Sequence, residues 1–156
     1  MSGAGTSVEA IWREIGEEHS LLKSHLYALI SECSKLSGSE GCCHCSAVKT
    51  TGCADRALQH VGELLAYIVT HFHNEERVMR QWNLPASNFA LFEEHIQDHA
   101  RLSEGFSQLA SEIDDQNPLP QLKKLHALME TWLRSHILVH DKRLLEELGA
   151  TGIESY

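Results

Sequence analysis

Apolar residues recur along this chain at steps of three and four in four long segments, and no stretch alternates at period two with β-branched residues. The pattern predicts amphipathic helices and no sheet: an all-α protein. The first segment spans roughly residues 7 to 36, with Val8, Ile11, Ile15, Leu22, Leu26 and Leu29 on one stripe. The second runs from about Ala54 to Trp82 through Leu58, Val61, Leu64 or Leu65, Ile68 and Met79, and stops near Pro85, which cannot continue a helix. The third starts near Ser87 or Asn88, either able to cap free N–H groups, and carries Phe92, Leu102, Phe106, Leu109 and Ile113. Asn117 followed by Pro118 suits an N-cap with proline at the first helical position. It opens a fourth helix through Leu122, Leu125, Met129, Trp132 and Leu144, with Gly149 as C-cap.

The second and third links are short, and short links between long helices force antiparallel neighbours. The expected architecture is an up-down-up-down antiparallel four-helix bundle. The first link, about residues 37 to 53, is the exception: an extended Cys-rich loop holding Cys42, Cys43, Cys45 and Cys53. No internal repeat of useful length appears. At 156 residues the chain fits a single domain over 1–156, with 150–156 as a tail.

Charge narrows the partners. With 13 Lys+Arg against 22 Asp+Glu, a formal −9, most of the surface would repel a phosphate backbone, so nucleic-acid binding is not expected. No run of about 18 apolar residues occurs, and MSGAGTSVEA has neither a basic end nor an apolar stretch. The expectation is a cytoplasmic monomer with no membrane contact. Five cysteines, an odd count, fit a thiol-keeping compartment better than a disulfide framework.

Eleven histidines need an account, and several stand where the core should be. His19 falls four residues after Ile15 and three before Leu22, facing inward. The second stripe continues from Leu64 and Ile68 to His71 and Glu75, a histidine and a carboxylate four apart on one face. A lone buried glutamate would cost several kcal/mol or become protonated. His95 and His99 fill the third stripe between Phe92 and Leu102, at a spacing that lets two imidazoles converge on one ion. His136 follows Trp132 by four residues, with His140 and Asp141 just beyond. Taken singly, each is compatible with a hydrogen-bonded or surface histidine; four helices bringing donors to one interior at matching heights point to a metal centre. His25, His44, His60, His73 and His126 are assigned to solvent or loop.

Five imidazoles and two carboxylates exceed the four ligands of a structural zinc site, and carboxylates among them suit bridging, so two ions are indicated. Imidazole accepts iron, copper, zinc or nickel, and composition does not select among them. One spacing stays open: Asp141 lies five residues after His136, about 140° around an ideal helix, whereas His140 shares its face.

The blocks IGEEHSLL, LLAYIVTHFHNEERVM, FEEHIQDHARL and TWLRSHILVHD, in this order, resemble the hemerythrin family and especially the bacteriohemerythrins. The likeness covers nearly the whole chain apart from the Cys loop and the tail. It implies two non-haem iron ions, oxo- or hydroxo-bridged, that bind O2 reversibly for carriage, storage or sensing. It implies that His95, His99 and His136 hold one iron, His19 and His71 the other, and that Glu75 and Asp141 bridge them. O2 would bind at the iron with two histidines. The family uses the H-x4-D step, which an irregular, π-type turn accommodates.

The Cys loop departs from the shorter link usual in bacteriohemerythrins. It reads as a thiolate metal site, a redox switch or an insertion without chemistry; vicinal Cys42 and Cys43 lack the C-x2-C spacing of a zinc knuckle. No nucleophile triad or phosphate-cradling Gly loop appears, so a binding protein is expected rather than an enzyme. The alternative is a di-iron redox enzyme, or a redox, nitric oxide or peroxide sensor, using the Cys loop as relay. A third possibility, a partner-binding module stapled by metal, predicts zinc or no redox activity.

Overall fold

The computed structural model describes residues 7–31 and 45–149. These form α1 (Val8–Ser31), α2 (Ala47–Gln81), the single turn α3 (Leu84–Ser87), α4 (Phe89–Ser111), α5 (Leu119–Ser135), a π turn (His136–Asp141) and α6 (Lys142–Glu147), with no strand among them. The last three run on without interruption as one rod. α1 packs on α2 and α5, and α4 packs on the same two, so four long rods close a ring in chain order. Ile11 and Ile15, early in α1, cluster with Val78, late in α2, while Leu22, Leu26 and Leu29 cluster with Ala57 to Ile68, which makes the pair antiparallel. The four-helix bundle expected from periodicity is present.

Local chemistry sets the helix ends. The Ser7 hydroxyl accepts the Ala10 N–H at 3.2 Å, the Ser46 hydroxyl accepts that of Lys49 at 3.3 Å, and the Asn88 side-chain oxygen Oδ1 accepts that of Leu91 at 3.2 Å. Asn83, at φ 58°, turns the chain between α2 and α3, a left-handed position that asparagine tolerates better than most residues. Pro85 follows in the first turn of α3. The fourth rod starts one residue later than expected, at Leu119, with Pro118 rather than Asn117 at the cap. Gly149, at φ 74°, follows α6 as the expected terminator.

Two expectations are corrected. The Cys-rich link does not reach residue 53: Ala47 to Cys53 are helical, because Ser46 caps α2 eight residues before the apolar stripe that begins at Ala54. Leu58 is not in the core; the stripe runs through Ala54, Ala57, Val61 and Leu64, leaving Leu58 exposed beside it. Residues 32–44, with Cys33, Cys42, Cys43 and His44, and the tail 150–156 lie outside the described residues.

Burial also shows a repeat that residue identity hides. Buried Ile11, Ile15, His19, Leu22 and Leu26 of α1 are answered eighty residues later by buried Leu91, His95, His99, Leu102 and Phe106 of α4. Ala57, Leu64, Ile68, His71 and Phe72 of α2 are answered sixty-five residues later by Leu122, Met129, Leu133, His136 and Ile137. Beyond the π turn the offset becomes sixty-six: Glu75, Val78 and Met79 answer to Asp141, Leu144 and Leu145. The π turn is therefore one extra residue in one of two matched helical hairpins, which is what such a turn is.

Candidate metal centre

Between the large apolar cluster around Leu64, Phe106 and Met129 and the smaller ones around Met79, Leu84 and Ile15 lies a layer of polar side chains. It contains His19, His71, Glu75, His95, His99, His136 and Asp141, each no more than 3% exposed. All seven candidate residues are thus brought together, one or more from each rod. His140 is not among them. It sits partly exposed, its Nε2 3.5 Å from Asp98 Oδ1. The π turn resolves the open spacing: its wider winding carries Asp141 round to the face of His136 and rotates His140 off it.

The two carboxylates divide their oxygens in the same way. Glu75 Oε1 faces His71 Nε2 at 3.2 Å and His19 Nε2 at 3.9 Å, while Oε2 faces the Nε2 atoms of His95, His99 and His136 at 3.0, 2.9 and 3.3 Å. Asp141 Oδ2 lies 2.9 Å from His19 Nε2, and its Oδ1 lies 3.0 Å from His136 Nε2 and 3.7 Å from His95 Nε2. Two donor clusters result, Glu75 with His95, His99 and His136, and Glu75 with His19 and His71; Asp141 touches a histidine of each.

Two acids that sequence reasoning passed over orient the imidazoles. Nδ1 of His71 donates to Glu18 Oε2 at 2.9 Å, and Asn74 Nδ2 donates to the other Glu18 oxygen. Nδ1 of His136 donates to Asp98 Oδ2 at 2.8 Å, and Trp132 Nε1 donates to that same oxygen at 2.8 Å. A carboxylate only accepts, so each ring carries a proton on Nδ1 and turns Nε2 inward toward Glu75 and Asp141. The available signal was the acid directly before a candidate histidine, Glu18-His19 and Asp98-His99: about 100° round the helix from it, such an acid faces the neighbouring rod.

Ring nitrogens aimed at carboxylate oxygens need a proton or a metal cation between them. His19 Nε2, His71 Nε2, Glu75 Oε1 and both Asp141 oxygens are buried without a hydrogen-bond partner, and three ring nitrogens crowd one Glu75 oxygen. Burial opposes the charge of Glu75, yet the His71 and His136 charges and the hydrogen bonds hold it well below the usual carboxylate range. Burial and Glu75 push Asp141 up, and His136 and His19 outweigh them, so it too stays ionised. Burial pushes His136 down, and Asp141 and Glu75 reverse this and raise it well above the ordinary histidine value; His71 is raised against burial by Glu75 and Glu18. Burial lowers His99 and His140. Two buried carboxylates need positive partners, which protons on His71 and His136 supply in the metal-free protein and which metal ions bound by nitrogen and carboxylate oxygen would replace.

Aromatic faces pack the imidazoles from behind. Phe72 stacks on His99 at 3.7 Å between centroids, Trp132 stacks on His136 at 4.4 Å, and Phe72 meets Trp132 edge-on at 5.5 Å. Of the histidines assigned to solvent or loop, His73 is exposed, and His25 packs against Tyr67 at 4.4 Å. Cys45 and Cys53 are partly buried free thiols, and Cys53 accepts from Arg56 at 3.7 Å. Cys53 precedes His71 by eighteen residues on α2. At 1.5 Å per residue that is about 27 Å, too far for direct thiol chemistry at the centre.

Among the described residues no helix is long and apolar enough to cross a membrane. A family model described as Hemerythrin HHE cation binding domain matches residues 10–148. No curated protein and no solved structure matches the chain.

Proposed function

The chain belongs to the hemerythrin family, and from that premise we propose that it is a non-haem di-iron protein that binds dioxygen reversibly, a binding protein rather than an enzyme. The observation that carries the reading is the split of both carboxylates, one oxygen toward each histidine cluster. On it, His95, His99 and His136 would hold one iron, His19 and His71 the other, and Glu75 and Asp141 would be shared between the two. When bound, iron would supply the reducing equivalents for dioxygen binding.

The chain's own residues do the rest. Glu18 and Asp98 hold the Nδ1 protons of His71 and His136, so both rings aim Nε2 at the centre, where a metal ion would displace the proton it carries. Phe72 and Trp132 restrict the rings of His99 and His136, and the apolar clusters on either side keep bulk water from the ligands. Within the family we place the chain with the bacteriohemerythrins, as one domain with a Cys-rich segment between its first two long helices. Dioxygen is the partner this reading names.

Metal analysis, anaerobic reduction and exposure to oxygen while recording the visible spectrum test the proposal together. Two irons per chain and an oxygen adduct that returns to the ferrous state when oxygen is removed are expected. Zinc in the centre, or one iron with no adduct, would replace the proposal with a metal-stapled bundle.

A further inference from the structure

The two matched hairpins supply nearly equal halves of the centre. His19 answers to His99, His71 to His136 and Glu75 to Asp141, and the orienting acids Glu18 and Asp98 hold equivalent places. One donor breaks the match. His95, whose Nε2 lies 3.0 Å from Glu75 Oε2, has as its counterpart in α1 the hydrocarbon side chain of Ile15. Each precedes its cluster's next histidine by four residues, so each lies one turn away on the same face.

We infer that Ile15 is the residue that leaves the His19 and His71 half one ligand short, and that it thereby decides which half accepts an exogenous ligand. The inference rests on the di-iron reading above. Ile15 is 2% exposed and clusters with Ile11 and Val78, so it is a fixed wall rather than a surface side chain. Branching at Cβ restricts its rotamers, and it offers no lone pair. The first cluster therefore has two imidazoles where the second has three. No other described residue on α1 stands at the place that His95 holds on α4. An imidazole at position 15 is similar in volume to the side chain it replaces, and the hairpin match directs it toward Asp141 as His95 is directed toward Glu75.

The experiment uses the full chain, with azide as probe anion, and two reciprocal variants, Ile15→His and His95→Ile. Each is loaded with iron and, separately, with cobalt(II), whose visible absorption weakens as coordination number rises. The unaltered protein is expected to take two metals and one azide per chain. Ile15→His is expected to keep two metals, to lose at least tenfold in azide affinity, and to show weaker cobalt absorption as the short half gains a nitrogen. His95→Ile is expected to make the second half short as well and to raise azide stoichiometry above one. If Ile15→His does not fold or load, His95→Ile decides alone, and a stoichiometry fixed at one or below overturns the inference. Ile15→His that binds two metals with unchanged azide affinity and an unchanged cobalt spectrum overturns it directly. Failure of the unaltered protein to bind two metals is a different result, which removes the di-iron reading instead.

Discussion

Asp98 offers the sharpest test of how the centre is held. Its Oδ2 alone accepts from both His136 Nδ1 and Trp132 Nε1, each at 2.8 Å. Truncation in Asp98→Ala strands two largely buried donors, at about 1–3 kcal/mol each, and frees the His136 ring to adopt the other tautomer. Loss of such an orienting partner costs about 10–100-fold in metal affinity, or ~1.4–2.7 kcal/mol. The loss should fall on the ion held by His136, so competitive chelator titration should resolve one weakened and one nearly unchanged site. Asp98→Asn separates position from charge. An amide oxygen in the place of Oδ2 still accepts both donors, so its affinity should fall by only a few-fold. Two unchanged sites in Asp98→Ala would refute the orienting role. An Asn variant as damaged as the Ala variant would show that the negative charge matters and the geometry does not.

The π turn predicts an asymmetry between neighbours: Asp141→Ala should release at least one iron per chain, while His140→Ala, altering a side chain turned toward Asp98, should keep both by elemental analysis. Protons compete with metal for the imidazoles. Burial lowers the His136 pKa, but Asp141 and Glu75 raise it well above its ordinary value, so His136 binds a proton at higher pH than a free histidine. Apparent metal affinity should therefore begin to fall, as pH decreases, above the ordinary histidine range of about 6.5, measured by chelator competition across a pH series. A plateau that persists to below that range would contradict the sign. In the larger apolar cluster, Phe106 is fully buried, and Phe106→Ala should destabilise the protein by about 3–5 kcal/mol in denaturant titration. A loss below 1 kcal/mol would mean that this end of the bundle repacks.

Much of this was legible from periodicity because helix faces obey a fixed geometry. His19 beside Ile15 and Leu22, or His95 and His99 between Phe92 and Leu102, can only point inward if their neighbours do. The π turn was not legible from spacing, which favours His140, because an ideal winding assigns Asp141 to another face; the family likeness alone favoured Asp141. The start of α2 escaped because Ala47 to Cys53 carry little apolar periodicity and depend on the Ser46 cap. The hairpin match escaped because it lives in burial rather than identity: Ile15 and His95 are equivalent positions with opposite chemistry. Glu18 and Asp98 escaped because acids on a helix usually face water, and only the packed neighbour shows what they hold.

The donor layer lies between two plugs of hydrocarbon, and this treats its two kinds of visitor differently. A small uncharged gas crosses apolar packing at little cost, whereas a hydrated ferrous ion must shed its water first. Filling and emptying the centre with iron must then wait for one end of the bundle to swing open. The tempo of iron exchange is set by how often the rods part, and slow backbone amide exchange around His71 and His136 would mark its upper limit. Gas traffic needs no such opening, so one filled molecule would serve through many cycles of uptake and release.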